Sequence, residues 1–305
     1  MKLVHYQLKH PYTHGRIGVV EKDTVIDLHA TQQELLKQQK LPSDSVIIPA
    51  DPRLFFQRAK VHIKEAEALM VQMKNHTTSH VFKRDEVILE TPSANPSKII
   101  CVGTNYADHV KEMGSELPEH PVLFAKFHNA LIGPEDAIYK ASATEKLDYE
   151  VELAVVIGET ATKVSEEAAL DYVAGYAIGN DISARDLQKR TSQWLQGKSL
   201  DHTTPVGPWL VTTSELPDPS NLSIKSYVNG ELRQSSNTEH LIFDIPHLIS
   251  FISNLMTLEP GDIILTGTPD GVGFALNPSQ FLNDGDSVTL EIEQIGTLTN
   301  RVVSS

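Results

Sequence analysis

The chain has 305 residues, of which 40% are hydrophobic and 22% charged, as expected for a globular protein with one large domain or two ordinary ones. Its formal net charge of −14 argues against nucleic acid or an anionic membrane as the main partner. The single cysteine excludes an internal disulfide, and no apolar run suits a signal peptide or a membrane helix, so we expect a cytoplasmic protein without membrane insertion.

Residues 1–95 are predicted to form a small β-rich domain. They open with three short strand-like runs, and residues 51–73 form the best helical pattern of this region. The segment TPSANPSK (Thr91–Lys98) combines two prolines with small polar residues, which is typical of a domain boundary. We therefore place a second, larger domain at residues 96–305.

The larger domain is predicted to be β-rich, with few and short helices. Asn229-Gly230 between two alternating runs is a strong signal for a hairpin with a type I′ turn. The segments DIILTG and DSVTLEIEQIGTLTNRVV add three more strands. Regular alternation of strands and helices is absent, so the pattern favours an α+β fold over a doubly wound sheet.

The stretch GTNYADHVKEMG (Gly103–Gly114) predicts a two-turn helix that Thr104 or Asn105 caps and Gly114 ends. Glu112 lies one turn from His109, so this pair is either a general base with its orienting carboxylate or an ordinary surface pair. A short helix between two glycine-containing turns is also a natural lid.

The stretch EKLDYEVELAVVIG (Glu145–Gly158) raises a question of burial. In one continuous strand, Asp148, Glu150 and Glu152 share a face, which is either solvated or buried. Towards its end both faces become apolar, as in a strand that is covered on both sides. Neighbouring carboxylates in such surroundings need a cation or a shared proton.

A third acid, Asp181, follows the predicted strand VAGYAIG. It either caps the next helix or completes an all-oxygen set with Glu150 and Glu152, which favours Mg²⁺ or Mn²⁺ over zinc. In that helix, Arg185 and Gln188 share a face, which either grips a substrate carboxylate or is simply solvated.

Two further segments offer groups for anions. Lys198 follows Gly197, and a lysine buried near a metal stabilises negative charge on a substrate, although most lysines are solvated. The turn LTGTPDGVG (Leu265–Gly273) could cradle an anion with its backbone N–H groups. The chain has neither a nucleotide P-loop nor a G-x-G-x-x-G motif, so nucleotide binding is not expected.

Six segments occur in an order that resembles the fumarylacetoacetate hydrolase family over residues 98–303: CVGTNYADHVKE, FAKFHNALIGP, DYEVELAVVIG, GYAIGNDISARDLQ, GKSLDHTTPVGP and LTGTPDGVG. The resemblance implies a mixed β-roll fold with a small N-terminal domain, and a homodimer. It implies a Mg²⁺ or Mn²⁺ site at Glu150, Glu152 and Asp181.

The same resemblance implies roles for other residues. His109 and Glu112 match a catalytic lid dyad, and Lys198 matches the active-site lysine. The positions that match substrate contacts are Arg185, Gln188 and Thr268. His202 stands where many relatives have a different residue, so the resemblance leaves the exact substrate of this chain open.

The resemblance also implies a small 2-oxo acid substrate whose enolate the metal stabilises. The whole-chain layout favours a metal-dependent decarboxylase or tautomerase of oxaloacetate. An acylpyruvate-type C–C hydrolase is the alternative, because His109 and Glu112 are retained to activate water. A non-catalytic binding protein with this fold would be expected to lose an acid of the triad or Lys198, and all four residues are present.

Overall fold

The computed structural model describes residues 1–10 and 14–304. Its strands are β1 Lys2–Leu8, β2 Arg16–Glu21, β3 Thr24–Asp27, β4 Val81–Lys83, β5 Val87–Glu90, β6 Ile99–Gly103, β7 Val122–Lys126, β8 Leu131–Ile132, β9 Ile138–Lys140, β10 Leu147–Asp148, β11 Val151–Ile157, β12 Val173–Asn180, β13 Ser183–Ala184, β14 Thr204–Thr212, β15 Ser223–Val228, β16 Glu231–Asn237, β17 Ile263–Leu265, β18 Ser287–Ile292 and β19 Gly296–Ser304. Its α-helices are α1 Leu28–Lys37, α2 Pro52–Phe56, α3 Ala59–Met73, α4 Ala107–Glu112, α5 Arg185–Gln188, α6 Leu195–Lys198 and α7 Ile245–Leu255.

The fold is a strand-rich α+β arrangement. Within the described residues, a twelve-stranded sheet follows the order β4-β3-β2-β1-β14-β12-β11-β17-β6-β7, with β5 paired to β1 and β8 to β14. A five-stranded sheet has the order β16-β15-β18-β19-β9, and β10 pairs with β13 and forms a single bridge from Leu147 to Leu282. Neighbouring strands of the large sheet are mostly antiparallel, whereas β17 with β6 and β8 with β14 are parallel, which confirms the mixed α+β class.

Strand β11 lies inside the large sheet, between β12 and β17, and is buried on both faces. Leu153 and Val155 pack into the larger apolar cluster, which the five-stranded sheet and α7 also line. Ala154 and Val156 face a second cluster that includes residues of α3. The predicted burial on both sides is therefore confirmed, and the sequence shows it as an unbroken apolar run.

Turn chemistry and helix caps explain several element boundaries. Asn229 and Gly230 both have positive φ, of 53° and 82°, and join β15 to β16 as the type I′ signal predicts. The helix predicted over residues 51–73 is instead two helices, because the chain turns between α2 and α3 at Gln57 and Arg58.

The first 95 residues are joined to the rest of the chain. Strand β1 pairs with β14 through Lys2 and Leu3, and α3 packs on the sheet that carries β11. The boundary between residues 95 and 96 stays a prediction.

Along the described chain, no helix has both the length and the apolar character needed to cross a bilayer.

A buried ion pair secures the start of α1. Asp27 caps the helix by accepting from Ala30 N at 2.7 Å, and it also accepts from Arg16 and from Tyr6 Oη, the latter at 2.5 Å. Burial alone would raise the pKa of the Asp27 carboxyl, but the hydrogen bonds from Arg16 and Tyr6 outweigh burial and hold it below its ordinary value.

We expect Arg16→Met to lower the free energy of unfolding by about 1–3 kcal/mol at neutral pH, since it leaves a buried carboxylate without its cation. Because the folded-state pKa of Asp27 is depressed, its contribution is present above the unfolded-state pKa and lost as pH falls through the folded-state pKa. Urea unfolding of both proteins between neutral and acidic pH measures the difference, which should shrink on acidification. A difference independent of pH would contradict this account.

Candidate active site

Three buried carboxylates meet at the end of the central strands. Glu150 precedes β11, Glu152 lies within it, and Asp181 follows β12, which pairs with β11. Their ligand oxygens lie within 4.8 Å of one another. The structure thus brings together the three acids that the sequence analysis grouped as a metal site.

The predicted single strand is broken at its start. Asp148 belongs to β10, which pairs with β13, whereas β11 begins only at Val151. Asp148 therefore turns away from the triad, although in one continuous strand it would lie on the same face as Glu150 and Glu152. Its carboxylate accepts hydrogen bonds from Gly273 N at 2.8 Å, Phe274 N at 3.0 Å and Arg185 Nε at 2.8 Å.

The triad suits a hard divalent cation. Opposite oxygens around an octahedral Mg²⁺ lie about 4.2 Å apart, so the observed spacing leaves room for one cation among these carboxylates. Burial and repulsion from Asp181 and Glu150 raise the pKa of Glu152 well above its ordinary value. A bound cation would relieve that repulsion, so the donor set fits a divalent metal.

Two buried lysines compensate the charge of the triad. Lys198 Nζ lies 2.7 Å from Glu150 Oε2 and 2.6 Å from Asp181 Oδ2. Lys126 Nζ lies 2.7 Å from Asp181 Oδ1 and donates to Ile182 O. Burial opposes the charge of Lys198, but the carboxylates of Asp181 and Glu150 outweigh it and raise the pKa of its ammonium, which stays protonated.

Lys126 was missed as a functional residue by the sequence analysis. It lies in the segment FAKFHNALIGP, where it is the one charged side chain in a mainly apolar stretch at the end of β7. That isolated charge was the sequence signal that could have marked Lys126 as a functional residue.

Lys198 is brought to the triad by α6, which packs closely on α5: a Cβ at Gly197 would lie 2.5 Å from Gln188 N.

Arg185 connects the triad to Asp148. Its Nη2 lies 2.8 Å from Glu150 Oε1 in an ion pair that lacks hydrogen-bond alignment, and its Nη1 donates to Gln188 Oε1 at 3.2 Å. The predicted pairing of Arg185 and Gln188 on one face of α5 is therefore present, and both side chains are buried rather than solvated. Burial opposes ionisation of Glu150, but Lys198 and Arg185 hold the pKa of its carboxyl well below the ordinary value.

Helix α4 covers one side of the site. His109 is buried, and its Nδ1 lies 3.2 Å from Glu112 Oε2, while Glu112 Oε1 accepts from Gly271 N at 2.9 Å. The bond to Gly271 ties the helix to the glycine-rich turn across the site. His109 is thus not a solvated surface residue, whereas opening of α4 as a lid stays a prediction.

The predicted N-terminal caps of α4, Thr104 and Asn105, are wrong. Tyr106 occupies the N-cap position without a side-chain hydrogen bond. The Asn105 side chain instead donates to Thr266 O and Phe243 O and accepts from Phe243 N. It therefore fixes the root of the helix to the turn after β17, and Gly114 with φ of 64° ends the helix as expected.

A cavity of about 310 Å³ joins these groups. Its lining contains every predicted site residue except Glu112: Glu150, Glu152, Asp181, His109, Lys198, Arg185, Gln188 and Thr268. Thr268 accepts a hydrogen bond from Gln234 Nε2 at 2.8 Å. His202 lies outside this lining, in an exposed turn against Tyr139.

Comparison with known proteins places this geometry in a family. The family described as "Fumarylacetoacetate (FAA) hydrolase C-terminal" matches residues 98–303. The chain belongs to this family of enzymes. The match begins three residues beyond the predicted domain boundary and includes all the residues that line the cavity.

Two kinds of relative stand out among those compared. A Bacillus subtilis protein named oxaloacetate tautomerase YisK is 43% identical over 288 residues, which cover 93% of this chain and 94% of that protein. A fumarylacetoacetate hydrolase from Exiguobacterium antarcticum has 35% identity and a TM-score of 0.77, with all of both chains covered. Maleylpyruvate hydrolase from a Sphingobium species, solved with manganese(II) and pyruvate, has 30% identity and a TM-score of 0.75, also over both full chains.

We expect metal binding to release a proton from Glu152, because a cation binds the ionised carboxylate whose pKa is raised in the metal-free protein. Metal affinity should therefore increase with pH until that carboxyl is ionised. Calorimetric titration with Mn²⁺ in two buffers of different ionisation enthalpy, repeated at several pH values, measures the release, which should be larger at low pH and fall as pH rises. Glu152→Gln should abolish it and Glu112→Gln, outside the triad, should retain it; heat independent of the buffer in the unmodified protein would contradict the assignment.

Proposed function

We propose that this protein is a divalent-metal-dependent tautomerase of oxaloacetate, which interconverts the keto and enol forms by moving a proton between C3 and the C2 oxygen. The observation that carries the proposal is one cavity with a protonated Lys198 at its buried floor and His109 on the covering helix. A tautomerase needs a base on one side of the substrate and a stabiliser of negative charge on the other. The name of the Bacillus subtilis relative supports the choice of substrate.

The base in this proposal is His109. Its Nδ1 faces Glu112, so Nε2 is the ring nitrogen left to take a proton from C3. Glu112 fixes the orientation of the ring and is itself held by Gly271 N. No water molecule is consumed, and the proton is returned either to C3 or to the oxygen.

The opposite side of the cavity stabilises the negative charge. Lys198 is fixed between two carboxylates that favour its charged ammonium form, so it serves as an electrostatic stabiliser rather than as a base. A Mg²⁺ or Mn²⁺ ion held by Glu150, Glu152 and Asp181 would supply Lewis-acid stabilisation of the same charge. Arg185, Gln188 and Thr268 are proposed to orient the substrate carboxylate next to the keto group.

Decarboxylation of oxaloacetate, one of the two activities that the whole-chain layout favours, is the second candidate. Loss of the distal carboxylate as carbon dioxide forms the same type of enolate, which the fixed charge of Lys198 would stabilise equally. An acylpyruvate-type hydrolase is the third candidate, since His109 with Glu112 could activate water, and the Sphingobium neighbour bears a hydrolase name.

We further propose that the protein forms the homodimer that the family likeness implies. Light scattering in solution tests this.

If His109 is the base, His109→Ala should reduce kcat for tautomerisation by about 10²–10⁴-fold, the loss typical of a missing general base. The exposed His202 is a matched control, and His202→Ala should leave the rate within about twofold. The spectrophotometric decay of enol oxaloacetate with Mn²⁺ present measures both. Equal rates in the two variants would remove His109 from the mechanism.

Product analysis separates the three candidate reactions. With Mn²⁺ and a range of substrate concentrations we expect kcat/KM for enol–keto conversion to exceed that for carbon dioxide release from oxaloacetate and for acetate release from acetylpyruvate. Lys198→Met should reduce conversion by about 10²–10³-fold, because a fixed donor to the developing charge is lost. Faster release of carbon dioxide would make the protein a decarboxylase, and faster release of acetate would make it a hydrolase.

A further inference from the structure

The rim of the active-site cavity carries a cation that the mechanism above does not use. Lys189 ends α5, one residue after Gln188, and its side chain lines the same cavity as the carboxylate triad. It is exposed, whereas the triad and Lys198 are buried at the floor. Lys189 is therefore a solvent-exposed cation of the same cavity, available to a second charged group of a bound ligand.

Lys189 differs from the other cations of the cavity in its partners. Arg185 and Lys198 each form ion pairs with buried carboxylates. Lys189 is in no ion pair with an acid in the part of the chain that the structure describes; its Nζ lies 3.7 Å from the centre of the Phe274 ring. An aromatic face holds an ammonium in place without neutralising its charge.

The surroundings of Lys189 favour an anion at this position. Burial is the largest influence that lowers the pKa of its ammonium, and the nearby cations Arg185 and Lys146 lower it further. An anion placed beside Lys189 would relieve this repulsion. Phe274 is itself positioned by the bond from its backbone N–H to Asp148, so the aromatic support of Lys189 is connected to the buried network.

We propose that Lys189 binds the distal carboxylate of the substrate and thereby makes the site selective for 2-oxo dicarboxylates over 2-oxo monocarboxylates. The inference rests on the proposed function, because it assigns the second charged group of the same substrate. It also explains how a site whose deeper cations are already paired would recognise a second carboxylate.

Two unreactive ligands test this inference without turnover. (S)-Malate and lactate share the 2-hydroxy acid end, and malate alone adds the distal carboxylate. With Mn²⁺ present, calorimetry should show tighter binding of malate than of lactate. Lys189→Gln should weaken malate binding roughly tenfold and leave lactate binding within about twofold, since it removes one partly screened, charge-assisted contact.

Two further variants control for general effects of charge. Arg190→Gln removes the same charge from the next residue, which does not line the cavity, and should leave the malate-to-lactate ratio unchanged. Lys189→Arg should retain the preference for malate. In turnover of oxaloacetate, the loss in Lys189→Gln should fall on KM more than on kcat.

The possible outcomes are distinct. An unchanged malate-to-lactate ratio in Lys189→Gln, or no preference for malate in the unmodified protein, would overturn the role of Lys189. The proposed function fails if the unmodified protein does not convert oxaloacetate. That result is independent of the ratio of its affinities for malate and lactate.

Discussion

Compensation of buried charge is the constraint on which the site depends. Four carboxyl groups, Asp148, Glu150, Glu152 and Asp181, lie buried together with three cations, Lys126, Arg185 and Lys198, within the described chain. Isolated charges in such surroundings are too costly to keep, so each must be paired, neutralised or bound to a metal. The three cations number one fewer than the carboxyls, and Glu152, which forms no ion pair in the described chain, has a pKa raised well above its ordinary value by burial and by Asp181 and Glu150. Burial also raises the pKa of the Asp148 carboxyl, although Arg185 opposes this. Because the apolar core around β11 keeps these carboxylates away from water, a further cation at the triad would stabilise them.

The backbone places these charges by interrupting its strands. The break between β10 and β11 sends Asp148 to the turn at Gly273 and Phe274, while Glu150 and Glu152 stay beside Asp181. Arg185 then bridges the two groups, with one side of its guanidinium on Asp148 and the other near Glu150. Removing either carboxylate would leave the guanidinium only partly paired in a buried position, which is why positioning and stability are coupled here.

Much of this could be predicted from the sequence, because local patterns carry it. The hairpin at Asn229-Gly230 and the apolar run of β11 depend on neighbouring residues, and both were predicted correctly. Lys126 could not be paired with Asp181 from the sequence, since 55 residues separate them and only the sheet brings them together. Asn105 was predicted as a cap because asparagine is common at the N-cap position. In the structure its side chain instead forms hydrogen bonds with Phe243 and Thr266, which are distant in the sequence.

The same compensation resolves an apparent conflict between the charge of the protein and that of its proposed substrate. A chain with a net charge of −14 repels a dianion at long range, yet this field is screened beyond about 8–10 Å at physiological ionic strength. Inside the cavity the local balance decides, and there Lys198 and Arg185 are fixed by acids that would also hold a divalent cation. A divalent cation adds two positive charges where one is missing, so the site as a whole becomes cationic. Metal loading would in this way convert a nearly neutral buried network into an anion receptor, which makes binding of substrate conditional on binding of metal.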